Sequence, residues 1–132
     1  MPAPVSPSSR NPHRPRVLIV DDMPQVRQEL RLLLSLTGEL EIVGEAANGA
    51  EAIGQVEALR PDVVVMDLEM PVMDGYEAAR QIKTHWPACR VIALTVHDGE
   101  AERQRAAQAG VDAFIVKGAP LDALVKAIIE TV

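Results

Sequence analysis

Five short apolar runs recur along the chain from about residue 16 onward, and segments long enough to form helices separate them. This alternation is typical of βα units that build one parallel sheet. The runs predict strands at residues 17–20, 40–43, 63–66, 91–94 and 113–116. Four runs are almost unbroken, as expected of strands covered by helices on both faces. The second alternates charged and apolar residues through Glu39-Leu40-Glu41-Ile42, which favours an edge strand.

Apolar residues also recur at helical spacing between the predicted strands, which indicates helices with one face toward the core. The stripes are Val26, Leu30, Leu33 and Leu34, then Ile53, Val56 and Leu59, and finally Leu121, Leu124, Val125, Ile128 and Ile129. We interpret them as packing surfaces. The pattern therefore predicts an α/β fold with a doubly wound parallel sheet of five βα units.

Chain-breaking residues mark the helix ends. Arg60-Pro61-Asp62 is expected to end the second helix, Asp74-Gly75 to begin the third, and Pro120 to lie in the first turn of the last. The fourth helix, within residues 99–109, offers only alanines as apolar residues. It can bury little area, so we expect it to be weakly anchored and mobile.

Composition narrows the classes of protein. The chain has 132 residues, 48% of them hydrophobic, which suits one domain with a real core. Residues 1–15 hold five of the ten prolines and no periodic pattern, so we expect a disordered arm before a domain at residues 16–132. The single Cys89 and the lack of a long apolar span favour a cytoplasmic protein without membrane contact. The net charge of −6 disfavours direct nucleic-acid binding.

Polar residues follow four of the apolar runs at the point where each run ends. They are Asp21 and Asp22 after VLIV, Asp67 after VVVM, Thr95 after VIAL and Lys117 after FIV. Ligands of open parallel sheets bind beyond the carboxyl ends of the strands, so these side chains are expected to converge on one pocket. Taken singly, each has a structural explanation, such as an N-cap for Asp21-Asp22 or a solvated charge for Lys117. Four strand ends with complementary chemistry favour a functional site.

The residue types suggest phosphoryl chemistry that depends on a divalent cation. Asp21, Asp22 and Asp67, with Glu69 nearby, would crowd negative charges unless a cation neutralised them. Mg²⁺ prefers such oxygen ligands, and Mn²⁺ is an alternative. An ammonium from Lys117 and a hydroxyl from Thr95 could face phosphoryl oxygens, with Asp67 as the nucleophile.

The segments VLIVDD, VVVMDLEMPVMDG, VIALT and FIVK together resemble the receiver domains of two-component response regulators over about residues 16–132. The resemblance implies a flavodoxin-like fold with strand order 2-1-3-4-5 and Asp67 as phosphoacceptor. It further implies Asp22, Asp67 and the Glu69 carbonyl as metal ligands, with Asp21 holding metal-bound water. Thr95 and Lys117 would contact the phosphoryl group.

The same resemblance implies partners and a switch. The donor would be a sensor histidine kinase docking near the first helix, and Phe114 would turn inward when Thr95 moves. EIVGEAANGAEA resembles the subgroup whose receivers precede a LuxR-type helix-turn-helix output domain. A phosphorylation-dependent homodimer and a stand-alone regulator stay open. So do a binding module without phosphorylation and an aspartyl phosphotransferase or phosphatase with Asp67-Leu68-Glu69 as its D-x-D.

One departure from the family pattern and two variable positions bear on the function. Gly118 follows Lys117 where receivers usually have a proline, which leaves the conformation of that loop open. Glu69 and His97 occupy the variable positions two residues beyond Asp67 and Thr95 that tune the lifetime of the phosphoryl group in this family. We expect an altered lifetime, in a direction that the sequence leaves undetermined.

Overall fold

The computed structural model describes residues 14–131, and within them five strands alternate with five helices. The strands are β1 (Arg16–Val20), β2 (Glu41–Ala46), β3 (Val63–Met66), β4 (Arg90–Thr95) and β5 (Ala113–Val116). The helices are α1 (Pro24–Leu36), α2 (Gly49–Leu59), α3 (Gly75–His85), α4 (Glu100–Gln108) and α5 (Leu121–Thr131). The predicted arm at residues 1–15 lies outside the described residues, except for Arg14 and Pro15.

All strand pairs are parallel, and the sheet order is β2-β1-β3-β4-β5. This confirms the predicted flavodoxin-like order and the edge position of β2. β2 begins one residue later than predicted and extends to Ala46, with its register shifted between Val17 and Leu18 of β1.

Helices cover both faces of the sheet, and the two faces form separate cores. Leu18, Val64 and Met66 pack with α2 and α3 on one face. On the other, Val17, Ile19 and Val65 pack with residues of α1 and α5. Each fully buried aliphatic side chain contributes about 1.5–3 kcal/mol of transfer free energy, so the central strands hold the site firmly.

The helix ends follow local chemistry, with one correction. The Asp74 side chain caps α3 by accepting from the Glu77 amide, and Arg60 ends α2 with φ +49°. The alternative explanation of Asp21-Asp22 as the N-cap of α1 does not hold. The N-cap is Met23, no side chain caps the helix, and Pro24 fills its first turn.

Two predicted core positions are also wrong. Leu33 of α1 is 37% exposed and Ile129 of α5 is 42% exposed. Leu34 anchors α1 to the sheet, whereas Leu33 lines an open groove of about 310 Å³ between α1 and the β5–α5 segment. The helical period identified the apolar side of α1 but not how far α5 covers it.

Helix α4 presents little apolar surface, as its sequence predicts. Ala106 is buried within the helix and Ala109 just after it. Its mobility stays a prediction. No helix among residues 14–131 has both the length and the apolar character needed to cross a membrane.

Candidate functional site

Three carboxylates meet at the carboxyl ends of β1 and β3. These strands are neighbours, with Val20 paired to Met66, so the residues that follow them lie side by side. Carboxylate oxygens of Asp21, Asp22 and Asp67 all lie within 4.8 Å of one another. Asp21 and Asp67 are buried, whereas Asp22 is exposed. We call these three residues the acidic trio.

Lys117 brings a positive charge to the acidic trio from the far edge of the sheet. Its Nζ donates to Asp21 Oδ2 at 2.9 Å and to Asp67 Oδ2 at 3.3 Å. The Lys117 amide donates to the Thr95 carbonyl at 2.7 Å, which extends the β4–β5 ladder to the site. Gly118 then turns with φ +97°, a conformation that a proline ring cannot adopt. Glycine here is thus part of how this loop presents Lys117.

Burial and charge shift the proton affinities at this centre. Burial raises the pKa of Asp67, while the Glu69 amide and Lys117 act against that rise and Asp21 adds to it. Burial on its own would lower the pKa of Lys117, but hydrogen bonding and charge from Asp21 and Asp67 outweigh it and raise that pKa. Lys117 therefore stays protonated near neutral pH, whereas the surroundings of Asp67 disfavour its ionised carboxylate.

Thr95 ends β4, the strand between β3 and β5, and so lies between Asp67 and Lys117 along this edge of the sheet. It is buried, and its hydroxyl oxygen accepts from the His97 amide at 3.2 Å. The hydroxyl is thus held at the site by the loop that follows β4.

Glu69 divides its roles between backbone and side chain. Its amide donates to Asp67 Oδ1 at 3.1 Å. Its carboxylate turns away from the acidic trio and lies 2.9 Å from His97 Nε2. Sequence reasoning named both residues without pairing them. The sequence did contain a signal for this pairing. Glu69 lies two residues beyond Asp67 and His97 two residues beyond Thr95, and the strands before them are neighbours in the sheet.

The loop from Asp67 to α3 is built around a close approach of backbone. Gly75 donates to the Leu68 carbonyl at 2.9 Å, and a Cβ at Gly75 would lie 2.3 Å from the Asp67 carbonyl oxygen. A side chain at that position would displace the backbone of Asp67. Val72 in the same loop has φ +71°, an unfavourable conformation for a β-branched residue.

Two arginines of α4 lie over aromatic rings, and sequence reasoning missed both contacts. Arg103 lies 4.6 Å from the centroid of Phe114, and Arg105 lies 4.0 Å from that of Tyr76. Phe114 is half-buried on β5, which is an edge strand of the sheet. Helix α4 is thus attached to β5 and α3 through guanidinium–ring contacts as well as through its alanines.

The acidic trio has the chemistry of a site for a hard divalent cation. It offers oxygen donors alone, and burial together with the charge of Asp21 raises the pKa of Asp67, so a bound cation would favour the charged form of that carboxylate. The side chain of Glu69 does not join this group, so a contribution from that residue would have to come from its backbone.

Comparison with known proteins agrees with this arrangement. The model of the response regulator receiver domain family matches residues 17–129. The response regulator protein VraR of Staphylococcus aureus is 45% identical over 102 residues, covering 77% of this chain and 49% of VraR. The chain thus spans about half the length of the curated relatives it matches.

Solved structures agree as well. The signal receiver domain of the response regulator NarL from Mycobacterium tuberculosis superposes with a TM-score of 0.85 and 35% identity, over 90% of this chain and 96% of that one. A LuxR-family two-component response regulator from Aurantimonas superposes with a TM-score of 0.81 and 34% identity, over 89% of this chain and 86% of that one. These similarities and the geometry of the strand ends lead to one conclusion: the chain belongs to the response regulator receiver domain family.

Proposed function

We propose that this receiver accepts a phosphoryl group on Asp67 with the help of Mg²⁺ and so changes the partner that its surface binds. The observation that carries the proposal is the acidic trio with the Lys117 ammonium set between Asp21 and Asp67. A cluster of like charges with two buried members, Asp21 and Asp67, is costly to keep beside an ammonium unless it serves a ligand.

Asp67 is the best nucleophile of the three aspartates. Its side chain is 11% exposed, against 2% for Asp21, so a donor can reach it more easily. Asp21 is further occupied by the Met23 amide and by Lys117. Asp22 is exposed, and no contact joins it to Lys117 among residues 14–131. Asp67 alone combines access with contact to the ammonium.

Asp21, Asp22 and Asp67 would hold the cation, with the Glu69 carbonyl as the backbone ligand that the family resemblance implies. When bound, Mg²⁺ or Mn²⁺ would neutralise charge on the carboxylates and the phosphoryl oxygens. Lys117 would supply a second positive charge and the Thr95 hydroxyl a hydrogen bond to the same group.

The group transfer follows from these positions. A carboxylate oxygen of Asp67 attacks the phosphorus of a phosphohistidine, an O–P bond forms and the P–N bond breaks. The imidazole nitrogen retains the electron pair of that bond and takes a proton from solvent. Catalysis rests on positioning and charge compensation, as in other phosphoryl transfers.

The donor and the output are inferred from position and length. The groove between α1 and the β5–α5 segment runs from Val26 and Leu30 to Lys117, so a kinase domain seated there would reach the site. Because curated relatives are about twice as long, we propose that a DNA-binding output domain of the LuxR type is the controlled partner. A stand-alone regulator is the alternative.

The position of the Glu69 side chain disfavours the alternative of an aspartyl phosphotransferase or phosphatase. A D-x-D enzyme needs the second acid as a general acid near the nucleophile, but the Glu69 carboxylate turns to His97 instead. The motif also follows the third strand of the sheet and not the first. The domain is therefore proposed to catalyse its own phosphorylation and dephosphorylation alone.

The test is labelling with acetyl phosphate and Mg²⁺, read by intact-protein mass spectrometry. We expect one added phosphoryl group that is stable in acid and lost in base. Asp67→Asn should abolish it, and the exposed Asp122→Asn on α5 should leave it unchanged. Equal labelling of wild type and Asp67→Asn would overturn the proposal, as would sustained turnover of a small phosphate ester.

A further inference from the structure

A second pocket lies beside the acidic trio, between the β3–α3 loop and α4, and the proposed phosphorylation does not use it. Its volume is about 500 Å³, and Glu69, Met70, Asp74, Tyr76, Glu102 and Arg105 are among the residues that line it. We call it the Tyr76 pocket. Three carboxylates face one guanidinium there, so its walls carry a net negative charge.

The phenol of Tyr76 is the feature that distinguishes this pocket from an ordinary acidic surface. Tyr76 is 5% exposed, yet its hydroxyl forms no hydrogen bond with any group of residues 14–131. After the effect of burial itself, the pKa of the phenol responds to Arg105, then to Glu102, Glu69 and Asp74, which are the charged residues of the pocket walls. Tyr76 lines this pocket, and its hydroxyl is reached by solvent, since it is not among the buried polar atoms without a partner in residues 14–131. The hydroxyl therefore faces the pocket without a partner.

The carboxylates are not all satisfied within the domain. Asp74 caps α3 and lies 3.5 Å from Arg105. Glu102 is half-buried and pairs with no cation among residues 14–131. An unpaired carboxylate and an unpartnered hydroxyl on facing elements form a place for a donor of positive charge.

The spacing of these groups selects the kind of cation. Within residues 14–131, the acidic trio is the one set of three candidate ligands close enough to hold a metal ion, so the Tyr76 pocket is too wide for that role. A guanidinium fits better, since its planar fork of donors can reach separated oxygens. Charged walls disfavour an apolar small molecule.

We propose that the Tyr76 pocket docks an arginine side chain from a segment of a partner protein. The guanidinium donates to Glu102 and to the Tyr76 hydroxyl, while its stem lies along Met70. Arg105 competes with the incoming group, because it already covers one face of the Tyr76 ring and reaches Asp74. This inference goes beyond phosphoryl transfer and does not depend on it.

The test uses Tyr76 as its own reporter, since it is the single tyrosine of the chain. The full chain, labelled with ¹³C-tyrosine, is titrated with Nα-acetyl-arginine amide and followed by NMR. Nα-acetyl-citrulline amide has nearly the same shape without the charge and serves as the control ligand. We expect the Tyr76 ring signals to move with the arginine compound and to stay in place with citrulline.

Three variants separate a docking site from general electrostatic attraction. Glu102→Gln should weaken binding about 2–5-fold, the change expected for one partly exposed ion pair. Arg105→Gln should strengthen binding, and Glu100→Gln on the same helix should leave it unchanged. Opposite effects at positions 102 and 105 cannot both come from unfolding. Equal effects at positions 100 and 102, equal binding of citrulline, or ring signals that do not move would each overturn the proposal.

Discussion

The Lys117 ammonium lies 2.9 Å from a carboxylate oxygen of Asp21, a side chain that is 2% exposed. The two residues are 96 positions apart and follow strands that are not neighbours in the sheet. Lys117 therefore compensates a buried charge in addition to facing Asp67. If the proposed function holds, the same ammonium would stabilise the unphosphorylated domain and then contact the phosphoryl group.

Replacing Lys117 with glutamine should destabilise the domain in the absence of divalent cations. The change leaves Asp21 buried without its ammonium, which costs about 3 kcal/mol in comparable buried pairs. Chemical denaturation monitored by Trp86 fluorescence measures the loss. Mg²⁺ should restore part of it by neutralising the acidic trio. The exposed Lys126→Gln on α5 is the control, with a change within about 0.5 kcal/mol. A Lys117 variant as stable as that control would contradict the argument.

Replacing Asp67 with asparagine should stabilise the metal-free domain near neutral pH. The pKa of Asp67 is raised in the folded state, chiefly by burial, so the folded protein binds that proton more tightly than the unfolded chain does. Its ionisation therefore opposes folding at pH values above the folded-state pKa. As pH falls through that pKa the penalty is relieved, and below the unfolded-state pKa the gain from the variant should vanish.

Thermal unfolding of the wild type and the Asp67→Asn variant across pH, with a chelator present, tests this direction of the stability change. Added Mg²⁺ should narrow or reverse the difference, because the cation binds the folded wild type in preference to the variant. Asp122→Asn should show no such dependence on pH or metal. A gain from Asp67→Asn that grows toward acid pH would contradict the assignment of burial as the dominant cause.

The fold could be predicted because strand and helix periods are local properties of the sequence. The prediction that residues after VLIV, VVVM, VIAL and FIV face one edge needed only parallel strands, whose carboxyl ends share a side. Helix capping and side-chain burial could not be predicted where neighbouring residues or helices determine them. The N-cap of α1 is Met23 and not the alternative that Asp21-Asp22 offered, and Leu33 is exposed because α5 covers the stripe incompletely.

Contacts between side chains could not be predicted in the same way. Arg105 and Tyr76 are 29 positions apart, and nothing in either segment indicates that a guanidinium lies over that ring. The pairing of Glu69 with His97 depends on which rotamers two exposed side chains adopt. Such contacts follow from the packing of α4 and the loops on the finished sheet, and no local pattern records them.

Replacing Val72 with glycine should stabilise the domain by about 0.5–1 kcal/mol. The change relieves about 1–2 kcal/mol of left-handed strain, which exceeds the cost of about 0.4–1 kcal/mol for the added freedom of the unfolded chain. Val72 has φ +71° and is 86% exposed, so the change removes strain and little packing. Denaturant titration measures the gain. Val96→Gly is the matched control, since Val96 is also exposed but lacks a positive φ. It should lose about 0.4–1 kcal/mol through the added freedom of the unfolded chain. A loss at both positions would contradict the account of strain.

Replacing Glu69 and His97 together with alanine should shorten the lifetime of the phosphoryl group on Asp67, if the proposed function holds. Their side chains meet at 2.9 Å and bridge the loops after β3 and β4. We expect this bridge to restrict the approach of water to Asp67 from that side. The rate of hydrolysis should rise about 2–5-fold, in proportion to the loss of one partly exposed contact. Release of inorganic phosphate after removal of the donor gives the rate. His85→Ala on α3 is the control. An unchanged or longer lifetime in the double variant would contradict the claim that the Glu69–His97 contact protects the phosphoryl group.

Replacing Arg103 with alanine should loosen α4 without unfolding the domain. Ala106 is the residue buried within α4, so the stack of Arg103 on Phe114 supplies much of the attachment to β5, and the pair of Arg103 with Asp98 joins the helix to the loop before it. Hydrogen exchange of α4 amides should speed up about 2–5-fold, which corresponds to a cation–π contact of about 0.5–1 kcal/mol. Exchange in β1 and β3 should stay unchanged. Arg80→Ala on α3, which breaks an exposed pair with Glu77, is the matched control. Equal exchange of α4 in both variants would show that its alanines alone hold it.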